Sequence, residues 1–284
     1  MVIGDIKIIP LYLGQMKICG GPVFGIIPKK IWSKYFVPDS NNRITMAIYS
    51  LLVIKEHYVV LIDTGFGDKI DDKTLKAFGF EKVQSINEAL LKNGYYIGDV
   101  THCIISHLHI DHAGGCTKKE NNKIIPAFPN ATYYVQEKEF EDAMNPTNRT
   151  KATYFSENFF PIYESKKLIL QNGIESVTPF ITVYPVAGHV NAMNTIKIIT
   201  EYKNIYYPAD LIGLSLHINP LCNSAYDYYP LLSEQNKVEF LERVIKEDAF
   251  LFLPHEPEGN FYKVIKHEDY KYELIKIDLN TNFY

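Results

Sequence analysis

The chain has 284 residues, of which 46% are hydrophobic and 22% charged, and a formal net charge of −4. That composition is globular, with ample apolar material for a core, and the length allows one large domain or two small ones. There is no basic excess to neutralise a phosphate backbone, which argues against a nucleic-acid partner, and no apolar run approaches the roughly 20 residues that span a bilayer.

Cys19, Cys103, Cys116 and Cys222 lie far apart with no CxxC pair, unlike a secreted disulfide framework. Met1 to Pro10 lacks the pattern of a signal peptide. The expected compartment is a reducing cytoplasm.

In chain order, residues 2–13 have strand-like apolar content. Residues 14–43 are loop-rich, with Gly20-Gly21-Pro22, Pro28 and Pro38. A connection of that length is usually functional or disordered, and Phe24, Ile31, Trp32, Tyr35 and Phe36 favour an ordered flap. Runs 46–54 and 57–63, split around Lys55-Glu56-His57, read as a hairpin. Residues 83–94 carry apolar residues at helical spacing before Gly94.

Residues 100–106 and 131–135 read as strands and 136–144 as a helix, while 145–173 gives no clear pattern. Strands follow near 180–186, 194–200 and 204–208, then a helix over 233–247 with Ser233 as N-cap, then a strand over 249–253. Glu268 to Tyr284 reads as cover for a sheet or a subunit surface. Strands alternating with helices indicate an α/β layered domain. With no linker in evidence, 1–284 reads as one domain with 14–43 as its N-terminal flap.

The chemistry concentrates in Ser106-His107-Leu108-His109-Ile110-Asp111-His112-Ala113-Gly114-Gly115. Imidazole and carboxylate are the donors for zinc-like divalent cations, and four of them fall within six residues. On an extended segment His107 and His109 point the same way, and Asp111 and His112 follow as the chain turns. Further donors stand just after predicted strands: Asp63, His189, Asp210 and His255. Strand ends are where layered α/β proteins place their sites.

The ordered set Leu61-Ile62-Asp63-Thr64-Gly65, then Ser106 to His112, then Gly188-His189, Asp210 and His255 resembles the metallo-β-lactamase superfamily over nearly the whole chain. The resemblance implies a four-layer αβ/βα sandwich. It implies that His107, His109 and His189 hold one metal, that Asp111, His112 and His255 hold a second, and that Asp210 bridges them. Asp63 would orient a ligand by hydrogen bond, although as a residue alone it also suits a turn before Gly65.

The stretches Gly20 to Gly25, Pro28 to Trp32, Ala209 to Ile212 with His217, and Tyr226 to Leu231 are similar to a quorum-quenching lactonase-like branch. Two places depart from the pattern. Gly188-His189 continues Val190-Asn191-Ala192 instead of Thr or Ser, Pro and Gly. Gly213 stands where the best-known acyl-homoserine lactonases carry a tyrosine.

These expectations describe a dinuclear hydrolase of an ester or lactone, N-acyl homoserine lactonase-like. A metal-bridging hydroxide is the nucleophile, and Asp111 or Asp210 guides its proton. Zinc is the first choice of metal, with iron, manganese and cobalt compatible with the same donors. The substrate is a small molecule, no membrane is involved, and a homo-oligomer is compatible. Phe24, Trp32 and Tyr226 line the substrate site or anchor the flap, and His217 contacts substrate or holds its loop. Cys116 approaches the metals or is simply buried; Cys103 belongs to the core.

A glyoxalase II-like thioesterase and an organophosphate or phosphodiester hydrolase use the same donors. An RNase Z-like nuclease is disfavoured by the acidic balance, and a flavodiiron-like redox role by His109. A metal-binding scaffold without catalysis is the non-enzymatic alternative.

Overall fold

The apolar run Val59-Val60-Leu61-Ile62 is buried along its whole length, as expected of a strand covered on both faces. In the computed structural model, which describes residues 1–268 and 271–277, it forms the strand Tyr58–Ile62, antiparallel to Arg43–Lys55. One sheet runs in the order Val2–Ile3, Ile6–Cys19, Arg43–Lys55, Tyr58–Ile62, His102–Ile104, Thr132–Gln136 and Leu168–Gln171, with Phe80–Lys82 added to Ile6–Cys19. Its last four strands in that order are parallel.

A second sheet runs Glu175–Thr178, Ile181–Val186, Met193–Ile198, Ile205–Tyr207, Phe250–Phe252, Phe261–Glu268 and Lys271–Lys276. It is antiparallel except where Ile205–Tyr207 meets Phe250–Phe252. A small hairpin, Thr117–Glu120 with Lys123–Pro126, completes the β structure.

By contact the chain divides into two units. The first holds Met1–Gly14 and Ile48–Gly173, the second Gln15–Ala47 and the chain from Ile174 onward. The strands Ile6–Cys19 and Arg43–Lys55 each begin in one unit and end in the other.

The first unit's interior includes Leu51, Leu61, Ile104, Tyr133 and Phe159. Its helix Ile86–Lys92 starts with a capping box. Ser85 Oγ accepts from Glu88 N at 3.1 Å, and Glu88 Oε2 accepts from Ser85 N at 2.7 Å. In the second unit the helix Pro230–Lys246 buries Ser233, Lys237, Phe240, Leu241 and Val244, the stripe a 3.6-residue period predicts. Phe240 meets Tyr206 edge-on at 5.5 Å between centroids.

Two expectations need correction. The long helix begins at Pro230, whose fixed φ suits the first helical position, so Ser233 lies inside the helix and buried instead of capping it. The stretch 14–43 is less loop-like than its glycines and prolines suggest. Gly14 to Cys19 continue a strand, and Gly20–Phe24 and Lys29–Trp32 are short helices. The stretch 145–173 contains the helix Phe160–Glu164, with Pro161 in its first turn, and the strand Leu168–Gln171.

Much of the C-terminal stretch from Glu268 lies outside the described residues. No helix among the described residues is long and apolar enough to cross a membrane.

Candidate metal centre

In the first unit the parallel strands are in register, Ile62 beside Ile104 and Ile104 beside Tyr134. Neighbouring strands therefore end at one level, where one delivers Asp63 and the next Ser106 and His107. Asp63 adopts a φ of 55°, a left-handed conformation that costs a non-glycine residue about 1–2 kcal/mol. Its hydrogen bonds hold it there. Its amide donates to Ile104 O at 3.0 Å. Its buried carboxylate accepts from Ser106 N at 2.7 Å, Ser106 Oγ at 2.7 Å and His112 Nδ1 at 2.8 Å. One carboxylate thus fixes both ends of the segment from Ser106 to His112.

Between those ends His107 Nε2 and His109 Nδ1 face each other at 3.1 Å. The donor atoms of His107 and His112, and those of Asp111 and His112, lie within 4.8 Å of each other. Glu139, fully buried, accepts from Leu108 N at 2.8 Å and from Tyr154 Oη at 3.1 Å. The Tyr154 ring lies 5.1 Å from that of His109. After the histidines the chain passes close to Phe66-Gly67. A Cβ on Gly114 would stand 2.2 Å from Phe66 O, and one on Gly67 2.4 Å from Gly114 O, so both must be glycine. Cys116 is buried, with Sγ 3.3 Å from Thr64 Oγ.

In the second unit each donor comes three residues beyond a strand end: His189 after Val186, Asp210 after Tyr207, His255 after Phe252. Parallel pairing of Tyr206 with Leu251 sets Asp210 and His255 at one end of the sheet. Pairing of Val186 with Met193 and of Ile196 with Tyr207 puts His189 at that same end. Asp210 Oδ1 lies 3.0 Å from His255 Nε2 and Oδ2 lies 3.2 Å from His189 Nε2. Ala209, immediately before, has a φ of 49°. A Cβ on Gly213 would meet His255 Cδ2 at 3.0 Å.

The outward nitrogens test whether these residues suit a cation. His255 Nδ1 is 2.8 Å from the Ala47 carbonyl, which can only accept. His112 Nδ1 meets Asp63, and His189 Nδ1 lies 3.0 Å from Asp227 Oδ1. His107 Nδ1 lies 3.1 Å from Ser106 Oγ. With Nδ1 donating outward, a neutral ring presents the Nε2 lone pair inward. For His189 and His255 that lone pair points at Asp210 oxygens, an arrangement a shared cation resolves. Buried nitrogen and carboxylate donors with fixed tautomers are what a zinc-like ion requires.

The four residues expected near substrate lie in the second unit. Phe24 and Trp32 are 0% and 1% exposed and pack against each other with centroids 5.3 Å apart. His217 Nε2 donates to Val23 O at 2.9 Å, and its ring lies 5.8 Å from that of Phe24. Burial, followed by the nearby Lys237 charge, pushes the His217 imidazole down to about 4, so it is neutral near pH 7. Tyr226 keeps 42% of its surface exposed.

Glu139, Asp227 and the Ala47 carbonyl escape sequence reading. Asp227 falls within the stretch Tyr226 to Pro230, but nothing in the sequence distinguishes it from a solvated loop acid. Glu139 is one of several acids on an amphipathic helix.

Residues 44–255 match the model of the metallo-beta-lactamase superfamily. The chain belongs to that superfamily. The metallo-β-lactamase fold expected from the motifs is therefore the fold it has. It is similar to a probable metal-dependent hydrolase from Staphylococcus aureus, 29% identical, with a TM-score of 0.88 over 99% of this chain and 100% of that one. The fold is shared by AidC, a dizinc quorum-quenching lactonase (20% identical, TM-score 0.82, 99% of this chain and 97% of that one). It is shared as well by the hydrolase AbOPH (21% identical, TM-score 0.82, with the same coverage). A probable metallo-hydrolase of Mycobacterium tuberculosis is 29% identical over 120 residues, which is 39% of this chain and 36% of that relative's length.

Proposed function

We propose that this member of a metallo-hydrolase superfamily is a dinuclear metal-dependent hydrolase of ester or lactone bonds. In this reading His107, His109, Asp111 and His112 act together with His189, Asp210 and His255 on one pair of divalent cations, zinc first among them. The observation that carries it is the arrangement of His107, His112, His189 and His255, whose outer nitrogens are tied and whose inner nitrogens are aimed at other donors. The superfamily match, which takes in both sets of donors, supports it, as does similarity to the S. aureus hydrolase.

When bound, divalent cations supply the positive charge that lowers the pKa of water and polarises a carbonyl. The chain's own part is to hold that charge rigidly and to handle the proton. The five histidines are nearly fully buried, so they serve as fixed donors. Asp111 and Asp210, each with a side chain 16% exposed, are the carboxylates open to an incoming water, and one or the other takes its proton as the carbonyl is attacked. Tyr226 and the flap residues Phe24 and Trp32 are assigned to shaping the acyl side of the substrate site, Tyr226 by contact and the other two by holding the flap. His217 supports the flap through Val23.

The test is a panel of acyl-homoserine lactones, simple esters, S-lactoylglutathione and phosphotriesters on the metal-loaded chain, with and without chelator. Lactone or ester turnover that chelator removes and added zinc restores is the expected result. Full turnover by metal-free protein would overturn the reading, and so would a metal-loaded chain inert towards the whole panel. Preference for the thioester or the phosphotriester would move the assignment to those substrates.

A further inference from the structure

The loop before the long helix buries the wrong residue for a surface loop. Ala225, Tyr226 and Tyr229 are exposed, while Asp227 is 6% exposed. Burying a carboxylate is costly unless it is paired, so something inside must hold it. Its partner is His189 Nδ1 at 3.0 Å.

The loop is fastened on both sides of this contact. Tyr228 N and Tyr229 N donate to His189 O and Gly188 O at 3.1 and 2.9 Å, and Asp227 N to Ser224 O at 3.1 Å. From the helix, Asn236 Nδ2 donates to Ala187 O at 2.7 Å. Buried Lys237 donates to Cys222 O and Asn223 Oδ1, both at 2.9 Å. A Cβ on Gly188 would collide with Ser233, its nearest atom 2.4 Å away, so the turn carrying His189 sits hard against the helix.

We infer that Asp227 is the positioning residue of His189: it fixes the ring's tautomer and orientation and makes Nε2 a stronger metal donor. The inference rests on the metal-hydrolase reading above. His255 Nδ1 meets the neutral Ala47 carbonyl in the same role, so the carboxylate makes His189 the more basic ligand of the two.

The experiment uses the full chain loaded with zinc, with free zinc set by a chelator buffer. In Asp227→Ala the free zinc needed for half-saturation rises about 10–100-fold. In Asp227→Asn, whose amide oxygen can still accept from Nδ1, the rise is smaller. Cobalt-substituted Asp227→Ala shows a shifted visible absorption band. The metal-free variants unfold within a few degrees of metal-free wild type, which a merely structural role would not allow.

If Asp227→Ala fails to fold, the isosteric Asp227→Asn decides by the same zinc titration. Wild-type zinc affinity and an unshifted cobalt spectrum in the variants would overturn the inference and leave the metal reading standing. A wild-type chain that takes up no zinc or cobalt would overturn both.

Discussion

Residues 106 to 112 carry four donors on one uninterrupted stretch and anchor it at both ends through a single carboxylate, Asp63. In the second unit His189, Asp210 and His255 come from three separate turns. Each histidine there has its own anchor, Asp227 for one and the Ala47 carbonyl for the other. What the second set shares is at its centre: Asp210 lies against both rings. The first set is therefore vulnerable at its periphery and the second at its middle.

The largest effect follows from that middle. Asp210→Ala removes the partner of both His189 Nε2 and His255 Nε2. We expect hydrolysis by the metal-loaded chain to fall about a thousandfold or more, equivalent to roughly 4 kcal/mol of barrier, with loss of bound metal by elemental analysis. Turnover within tenfold of wild type would show that the second set has no shared centre.

At the periphery of the first set, Asp63→Ala leaves the Ser106 amide, the Ser106 hydroxyl and His112 Nδ1 without their buried acceptor. Breaking a buried charge-assisted network of this kind costs about 3–4 kcal/mol, read by urea unfolding of the metal-free chain. Asp227→Ala, with one histidine depending on it, should cost less. If the two variants lose equal stability, the contrast between shared and separate anchors fails.

The same contrast explains what was legible in the sequence. Four donors in six residues announce themselves, because local spacing alone brings them together. His189, Asp210 and His255 could be picked out as residues following apolar strands, since strand ends converge in a sheet whatever the loop lengths. The anchors had no such signal. Asp227 reaches His189 across 38 residues, and Glu139 reaches Leu108 across 31. Nothing local marks an acid that will be buried. The strand Leu168–Gln171 was hidden for a similar reason: four residues gain their ladder only by lying parallel to Thr132–Gln136.

The neutral anchors of the second unit respond to acid in a definite direction. The His217 imidazole is depressed to about 4 from its ordinary value of 6.5, first by burial. Between those two values the unfolded chain binds a proton there and the folded chain does not. Stability is therefore unaffected above about pH 7 and is lost as pH falls from 6.5 towards 4, by up to about 3 kcal/mol from this group. His217→Gln can still donate to Val23 O, and its stability should fall less steeply across that window in urea titrations at stepped pH. Identical slopes for the two proteins would mean that His217 titrates normally and does not hold Val23 as a neutral donor.

The smallest effect compares the two left-handed residues, Asp63 and Ala209, with φ of 55° and 49°. Hydrogen bonds accepted by its own side chain hold Asp63 in place, whereas Ala209 has no polar side chain, so the strand before it and the turn after it must impose the conformation. Glycine at 209 relieves about 1–2 kcal/mol of left-handed strain. Against that, it frees the unfolded chain by about 0.4–1 kcal/mol and forfeits about 0.8 kcal/mol for a buried methyl group. The terms nearly cancel, so Ala209→Gly should unfold within about 0.5 kcal/mol of wild type. Ala89 is as well buried but lies in the helix Ile86–Lys92, where glycine relieves nothing and costs about 1 kcal/mol or more. Equal losses for the two substitutions would mean that no strain is stored before Asp210.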